Sequence, residues 1–254
     1  MTAAILETRG LCKSFGALAV TRDVSLALAS GARHALIGPN GAGKTTFVNQ
    51  LTGVLKPSSG SVWLDGEEIT GLAAERRVRR GLSRTFQINS LFPHLTPLEA
   101  VAAAIFERDR DAMGVVERWV RGASSDRTRI DEAHALLASL GLAADAETPT
   151  HELAYGRQRV LEIALALAAK PRVLLLDEPA AGIPEGESDE LFEVLDGLPA
   201  DIAILLIEHD MSLVFRFAKR ITVLVGGAEL VTGTPTEIAA DPRVREVYLG
   251  SKGH

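Results

Sequence analysis

One stretch limits what this chain can fold into more than any other: Gly38-Pro39-Asn40-Gly41-Ala42-Gly43-Lys44-Thr45-Thr46. A short apolar run, Ala35-Leu36-Ile37, precedes it, and Phe47, Val48 and Leu51 follow at helical spacing. That order is strand, tight loop, helix, with G-x-x-x-x-G-K-[ST] placed where phosphate binding needs it. Glycines let successive backbone N–H groups turn into one concavity with no Cβ in the way. A helix beginning near Lys44 adds its partly positive N-terminus. On this reading Lys44 reaches the β- and γ-phosphates of a nucleotide, and the Thr45 hydroxyl is a ligand of Mg²⁺.

The rest of the chain reads as an α/β core around that loop. With 254 residues, 46% of them hydrophobic, it can bury one large core. Val173-Leu174-Leu175-Leu176 and Ile202 to Ile207 are continuous apolar runs, as expected of parallel strands buried on both faces. Residues 3–9 and 23–29 read as strands separated by a turn at Phe15-Gly16. Asp65-Gly66 and Gly226-Gly227 mark hairpins. Residues 156–169 keep one apolar helical face. Between Gln87 and residue 152 there is no strand signal, and Thr96-Pro97-Leu98-Glu99 opens a helix with Thr at the N-cap and Glu at N3. The expected organisation is a single domain. Residues 1–87 and 153–233 form a mostly parallel core with an N-terminal antiparallel part, 88–152 an inserted helical subdomain, and 234–254 a helical tail. Residues 109–127 stay open between a helix and a link.

Net charge is −6, which offers no global basic field to nucleic acid. The cluster Arg76-Arg77 and Arg79-Arg80 could face a phosphate backbone or an acidic partner, and reads first as a solvated helix face. A single cysteine, Cys12, fits a reducing compartment, no run is long enough to span a bilayer, and Met1 to Gly10 shows no signal-peptide pattern. A cytoplasmic product is therefore expected.

Three further residues carry chemistry. Asp177 ends an apolar strand, where ligands gather in parallel sheets, and can hold Mg²⁺ opposite Thr45. Glu178, next in line, is placed to polarise an attacking water. His209, after the next buried strand, sits where an imidazole donates to a γ-phosphate. Phe15 is open between stacking on an adenine ring and covering a small core.

Leu153-Ala154-Tyr155-Gly156-Arg157-Gln158-Arg159, some twenty residues before Leu176-Asp177-Glu178-Pro179, resembles the signature of ABC (ATP-binding cassette) ATPases. Gln87, in Arg84-Thr85-Phe86-Gln87, and His209 accompany it in that family's order. Within the family, Leu36 to Thr46, Ser83-Arg84-Thr85-Phe86-Gln87, Leu161-Glu162-Ile163-Ala164, Asp177-Glu178-Pro179-Ala180-Ala181-Gly182 and Tyr248-Leu249-Gly250 resemble the nucleotide-binding subunit of branched-chain amino acid importers, and Arg84-Thr85-Phe86-Gln87 looks like the longer of their two ATPases. The resemblance implies a head-to-tail cassette dimer trapping two ATP molecules. Each phosphate loop would be completed by the other chain's signature, here Ala154, Tyr155, Gly156 and Arg157. It further implies that Phe15 packs on adenine, Gln87 senses Mg²⁺ and the attacking water, Glu178 is the catalytic base and His209 the γ-phosphate switch. The helical subdomain would dock on an integral-membrane permease at the cytoplasmic face of the membrane, with a solute-binding protein delivering cargo.

Two departures from the family pattern matter. Ala154 stands where a Ser hydroxyl usually bonds the γ-phosphate across the dimer, a loss of about 1–2 kcal/mol. Pro184 stands where an Asp or Asn usually signals across the dimer, and offers neither a side-chain acceptor nor an N–H. Both point to a heterodimer with a sibling cassette whose intact signature serves this chain's loop, the homodimer being the other arrangement. The competing reading is a soluble ABC ATPase working on ribosomes or DNA. Such proteins usually carry two cassettes or a long coiled coil, and this chain shows one cassette and no heptads.

Overall fold

A computed structural model describes residues 4–85, 92–112, 115–183 and 188–249, and of residues 110–112, 115–126, 188 and 249 the backbone alone. Two compact units emerge. The first comprises Met1–Arg84, Arg172–Glu178 and Pro199–His254; the second comprises Thr85–Pro171 and Pro179–Leu198.

The first unit holds two sheets. β1 (Ala4–Phe15), β2 (Leu18–Val24), β3 (Ala27–Ala29), β5 (Ser59–Leu64) and β6 (Glu67–Glu68) form an antiparallel sheet in the order β2-β1-β5-β6, with β3 also on β1. β4 (Arg33–Ile37), β7 (Leu82–Arg84), β8 (Val173–Asp177), β9 (Ala203–Ile207), β10 (Arg220–Val225) and β11 (Ala228–Gly233) form the second, in the order β11-β10-β4-β9-β8-β7. All its pairs are parallel except β10–β11. The apolar runs that suggested buried strands become β8 and β9 at the middle of this sheet. One hydrophobic cluster joins Leu6 and Val62 of the antiparallel sheet, Leu36 and Leu205 of the parallel one, and Phe47 and Leu51 of α1 (Lys44–Thr52).

Several boundaries differ from the sequence reading. β1 runs to Phe15 rather than stopping at residue 9, because register shifts at Leu11/Lys13 and Lys13/Ser14 break its alternation without ending its pairing with β2. The strand expected over 23–29 divides between β2 and β3, with Asp23 at φ +53° near the break. The Asp65-Gly66 hairpin forms with both residues at positive φ, the combination a tight two-residue turn requires. α1 ends at Thr52, since Gly53 takes a left-handed conformation at φ +79°.

The basic cluster is not wholly a solvated face. In α2 (Ala74–Arg79), Arg76 and Arg79 are exposed, but Arg77 turns inward and is 1% exposed. Its guanidinium donates to the Gln50, Leu51, Thr70 and Leu72 carbonyls at 2.8, 2.6, 2.8 and 3.0 Å. It thereby serves the C-terminal end of α1, where among the described residues the Gln50 carbonyl otherwise accepts only from the Gly53 N–H at 3.4 Å. α7 (Met211–Phe217), α8 (Pro235–Ala240) and α9 (Pro242–Leu249) complete the unit, α8 opening on a Thr234–Glu237 capping box.

The second unit is helical among its described residues: α3 (Pro97–Ala112), α4 (Val115–Ser139), α5 (Tyr155–Ala168) and α6 (Ser188–Asp196). Thr96 and Glu99 exchange the capping bonds expected at the start of α3. The open segment 109–127 falls mostly within α3 and α4. Arg108 donates to Glu132 of α4 and to the Ala168 carbonyl of α5, and holds the Glu132 carboxyl down at about 2. α5 and α6 fall in this compact unit with α3 and α4, while the sequence reading assigns residues 153–233 to the core and 88–152 to the helical subdomain. Among the described residues no helix is long and apolar enough to cross a membrane.

Candidate nucleotide site

The phosphate loop bridges the end of β4 and the start of α1, and its shape is dictated by glycine. Gly41 at φ +78° and Gly43 at φ +94° occupy left-handed backbone that other residues adopt only under strain. A Cβ on Gly43 would stand 2.6 Å from the Val20 carbonyl, so β2 presses on the loop where a side chain would otherwise sit. The β10–β11 turn presses from another side: the Gly227 N–H donates to the Ala42 carbonyl at 3.0 Å, and the Gly227 carbonyl accepts from Arg22 N–H at 2.6 Å. From the far end of the chain, α9 brings Tyr248 against the Gly38 backbone, and burial pushes its phenol up to about 12.

Lys44 opens α1 with its ammonium resting on the Gly38 and Pro39 carbonyls at 2.6 and 3.2 Å. Burial draws its pKa down, while Glu178 and Asp177 oppose that by attraction. The two carboxylates thus share the electrostatic environment of the loop lysine, although more than 130 residues separate them from it in sequence. Thr45 and Asn40 are exposed at the mouth.

The order β4-β9-β8 brings three carboxyl strand ends side by side. β8 ends at Asp177, and Glu178 follows at φ +47°, an unusual conformation for a residue with a side chain. The Glu178 N–H donates to the Ile207 carbonyl at 2.9 Å, which keeps this bend tied to β9. Strained backbone of this kind clusters at functional positions. Beyond β9, His209 is exposed, with its Nδ1 3.8 Å from Glu178 Oε1. Its backbone N–H donates to buried Glu208, and Asp210 caps α7 through the Ser212 and Leu213 N–H groups. His209 is thus fixed between a strand end and a helix start.

Asp177 has a partner the sequence did not announce. Arg84 of β7 donates to Asp177 Oδ2 at 2.5 Å and to Asn49 Oδ1 of α1 at 2.7 Å. The signal was the register: in the parallel β7–β8 pair Arg84 faces Leu175, and Asp177 lies two residues on, directed to the same side.

Phe15 is half exposed, with Lys13 Nζ 5.1 Å from its ring centre. Gln87 and Pro184 fall outside the described residues. Ala154 is the N-cap of α5 and makes no side-chain capping bond. Two neighbouring side chains are engaged within their own unit. The Tyr155 hydroxyl donates to the Ala181 carbonyl at 3.0 Å, and Arg157 bonds the Gly141 carbonyl and pairs with Glu190 of α6 at 3.0 Å. Arg159 adds a second donor to Ala181 at 3.1 Å. A Cβ placed on Gly156 meets nothing within 4 Å, and Ala154 and Tyr155 before it are exposed.

Among the described residues no group of three or more His, Cys, Asp or Glu gathers to hold a metal. Thr45 and Asp177 offer only hard oxygen donors. They fit an ion such as Mg²⁺, which keeps waters and takes further oxygens from substrate phosphates, and not a caged transition metal.

Loop, strand ends and sheet order together define a phosphate-loop nucleotide-binding α/β protein. The sequence profile of the ABC transporter family matches residues 21–181, and the chain belongs to that family, as one of its ATP-binding cassette ATPases. A second profile, branched-chain amino acid ATP-binding cassette transporter, matches residues 230–254. The chain is 39% identical to the high-affinity branched-chain amino acid transport ATP-binding protein BraF of Pseudomonas aeruginosa, over 98% of this chain and 99% of the relative. It is 40% identical to the corresponding protein LivG of Salmonella typhimurium, again over 98% and 99%. The crystal structure of the ADP conformation of an ATP-binding cassette of an ABC transporter superposes with a TM-score of 0.83 at 27% identity, covering 98% of this chain and 100% of the other.

Proposed function

We propose that this chain is the ATP-hydrolysing subunit of an importer for branched-chain amino acids or related small solutes. It works at the cytoplasmic face of the membrane with a second cassette, a membrane permease and a solute-binding protein. The observation that carries the catalytic part is the convergence of Lys44, Asp177, Glu178 and His209 at three adjacent strand ends around the glycine loop. The profile match over 230–254 and the names of the relatives support the solute class.

In this reading the loop amides cradle the phosphates of ATP, and Lys44 moves from the Gly38 and Pro39 carbonyls to the β- and γ-phosphates. Thr45, Asp177 and Gln87 would hold Mg²⁺, which when bound neutralises developing charge on the phosphate oxygens. Glu178 polarises the attacking water and accepts its proton, and His209 donates to the γ-phosphate. Phe15 stacks on adenine. The N-terminal turn of α5, from Ala154 to Arg157, faces the other cassette's nucleotide through its backbone, since the Tyr155 and Arg157 side chains are already engaged.

The test is ATP turnover by the assembled transporter with Glu178→Gln in this chain. Hydrolysis is expected to fall at least about a hundredfold while ATP still binds. In a heterodimer the matching change in the sibling should cost less. Full turnover by the variant would overturn the catalytic reading, and equal effects in both cassettes would overturn the asymmetric one. Failure of reconstituted vesicles to accumulate leucine, isoleucine or valine would overturn the solute class.

A further inference from the structure

We infer that Arg84 is the positioning residue for the metal-side carboxylate, acting as a two-armed brace that fixes Asp177 relative to α1, the helix that carries Lys44 and Thr45. The inference rests on the proposed role of Asp177 toward Mg²⁺. One guanidinium nitrogen donates to Asp177 Oδ2 at 2.5 Å and another to Asn49 Oδ1 at 2.7 Å. Asn49 lies one helical turn after Thr45 on α1. The guanidinium therefore links the two elements whose oxygens would meet at the cation. Asp177 is the last residue of β8, paired there with Ile207 of β9, and a planar fork that holds its carboxylate and the Asn49 amide together fixes the direction in which the carboxylate points.

The surroundings make the brace effective. The Arg84 and Asp177 side chains are 21% and 13% exposed, so water does not screen the pair as it would at the surface. The position along the chain adds a second consequence. Arg84 is the last residue of the first unit before the chain passes into the second. The strand that leads toward Gln87 is thus pinned to Asp177 at its final residue.

Outer partners of this kind change metal affinity about tenfold or more when removed, without themselves touching the metal. The test uses the full chain, with ADP binding followed by calorimetry in EDTA and in rising Mg²⁺. In Arg84→Met and in Arg84→Lys, the Mg²⁺ concentration that gives half of the metal-dependent gain in ADP affinity should rise about tenfold, with ADP affinity in EDTA within about twofold of the parent. Lysine keeps the charge but cannot span both acceptors, so it should not rescue. Asn49→Ala, which removes one arm only, should shift the half-point by about threefold and stands in if the arginine variants do not fold.

An unchanged or lowered half-point, rescue by lysine, or an equal loss of affinity in EDTA would overturn the brace. Asp177→Asn separates the two levels of the argument. If it leaves the Mg²⁺ dependence untouched, the role of Asp177 fails. If it shifts the dependence while the Arg84 variants do not, the inference about Arg84 fails alone.

Discussion

Replacing Arg77 by methionine sets two large effects against each other, and the structure decides which one wins. The guanidinium is 1% exposed, and burial pulls its pKa down to about 10. That displacement corresponds to roughly 3 kcal/mol of desolvation, which the methionine variant recovers. Against it stand four carbonyl acceptors at 2.6 to 3.0 Å, two of them in the last turn of α1. A hydrogen bond from a charged donor contributes about 1.5–3 kcal/mol, and a buried carbonyl left without one costs about 1–3 kcal/mol. Backbone acceptors cannot be replaced by an apolar isostere, so the usual neutrality of swapping a buried charge for a hydrophobe does not apply here. The loss therefore exceeds the gain by at least about 3 kcal/mol, or roughly 6–12 °C in melting temperature for a chain of this size. Scanning calorimetry of the ligand-free protein measures it. Arg77→Lys, which keeps the charge but reaches fewer carbonyls, should fall between the two. A methionine variant melting within about 2 °C of the parent would refute the claim that these four bonds hold the end of α1.

Other outcomes follow from the same geometry. Gly43→Ala places a methyl 2.6 Å from the Val20 carbonyl at φ +94°, so ADP affinity measured by calorimetry should drop at least about tenfold. Tyr155→Phe removes one of two donors to the Ala181 carbonyl, which Arg159 still serves; melting should fall by about 2–4 °C. The Glu162 carboxyl is pushed up to about 7 by burial, with Arg159 opposing. Its folded value lies above its unfolded one, so the contribution is fully present below about pH 4.5 and is lost as pH rises toward 7. Urea titrations across that window should show a steeper fall in stability for the parent than for Glu162→Gln.

Much of the architecture was legible because its signals are local. Gly38 to Thr46 are consecutive, and their chemistry needs no distant partner to be recognised. The apolar runs of β8 and β9 likewise declare central parallel strands without reference to the rest of the chain. What stayed hidden depends on contacts that composition and periodicity do not encode. Arg84 and Asp177 are 93 residues apart, and only the β7–β8 register brings them together. Arg77 sits among exposed arginines of one short helix and differs from them only in the direction it faces. The β1–β2 hairpin was shortened in the sequence reading because bulges disturb the two-residue period while leaving the pairing intact. The bonds that Tyr155 and Arg157 make to the Ala181 and Gly141 carbonyls were equally hidden, since 26 and 16 residues separate the partners.

The contact between Tyr155 and Gly182 has a consequence for how sequences of this kind can change. Gly182 lies at φ +81°, and a Cβ there would stand 2.8 Å from the Tyr155 hydroxyl. The phenol occupies the space a side chain at 182 would need, so the two positions behave as one heritable unit. Exchanging the tyrosine for a small residue clears that space, but the left-handed backbone at 182 still strains any side chain, so a residue other than glycine there needs both the ring removed and the backbone changed. Across a collection of related cassettes, a residue other than glycine at 182 should therefore occur only where 155 is small, although 27 residues of sequence separate the two positions.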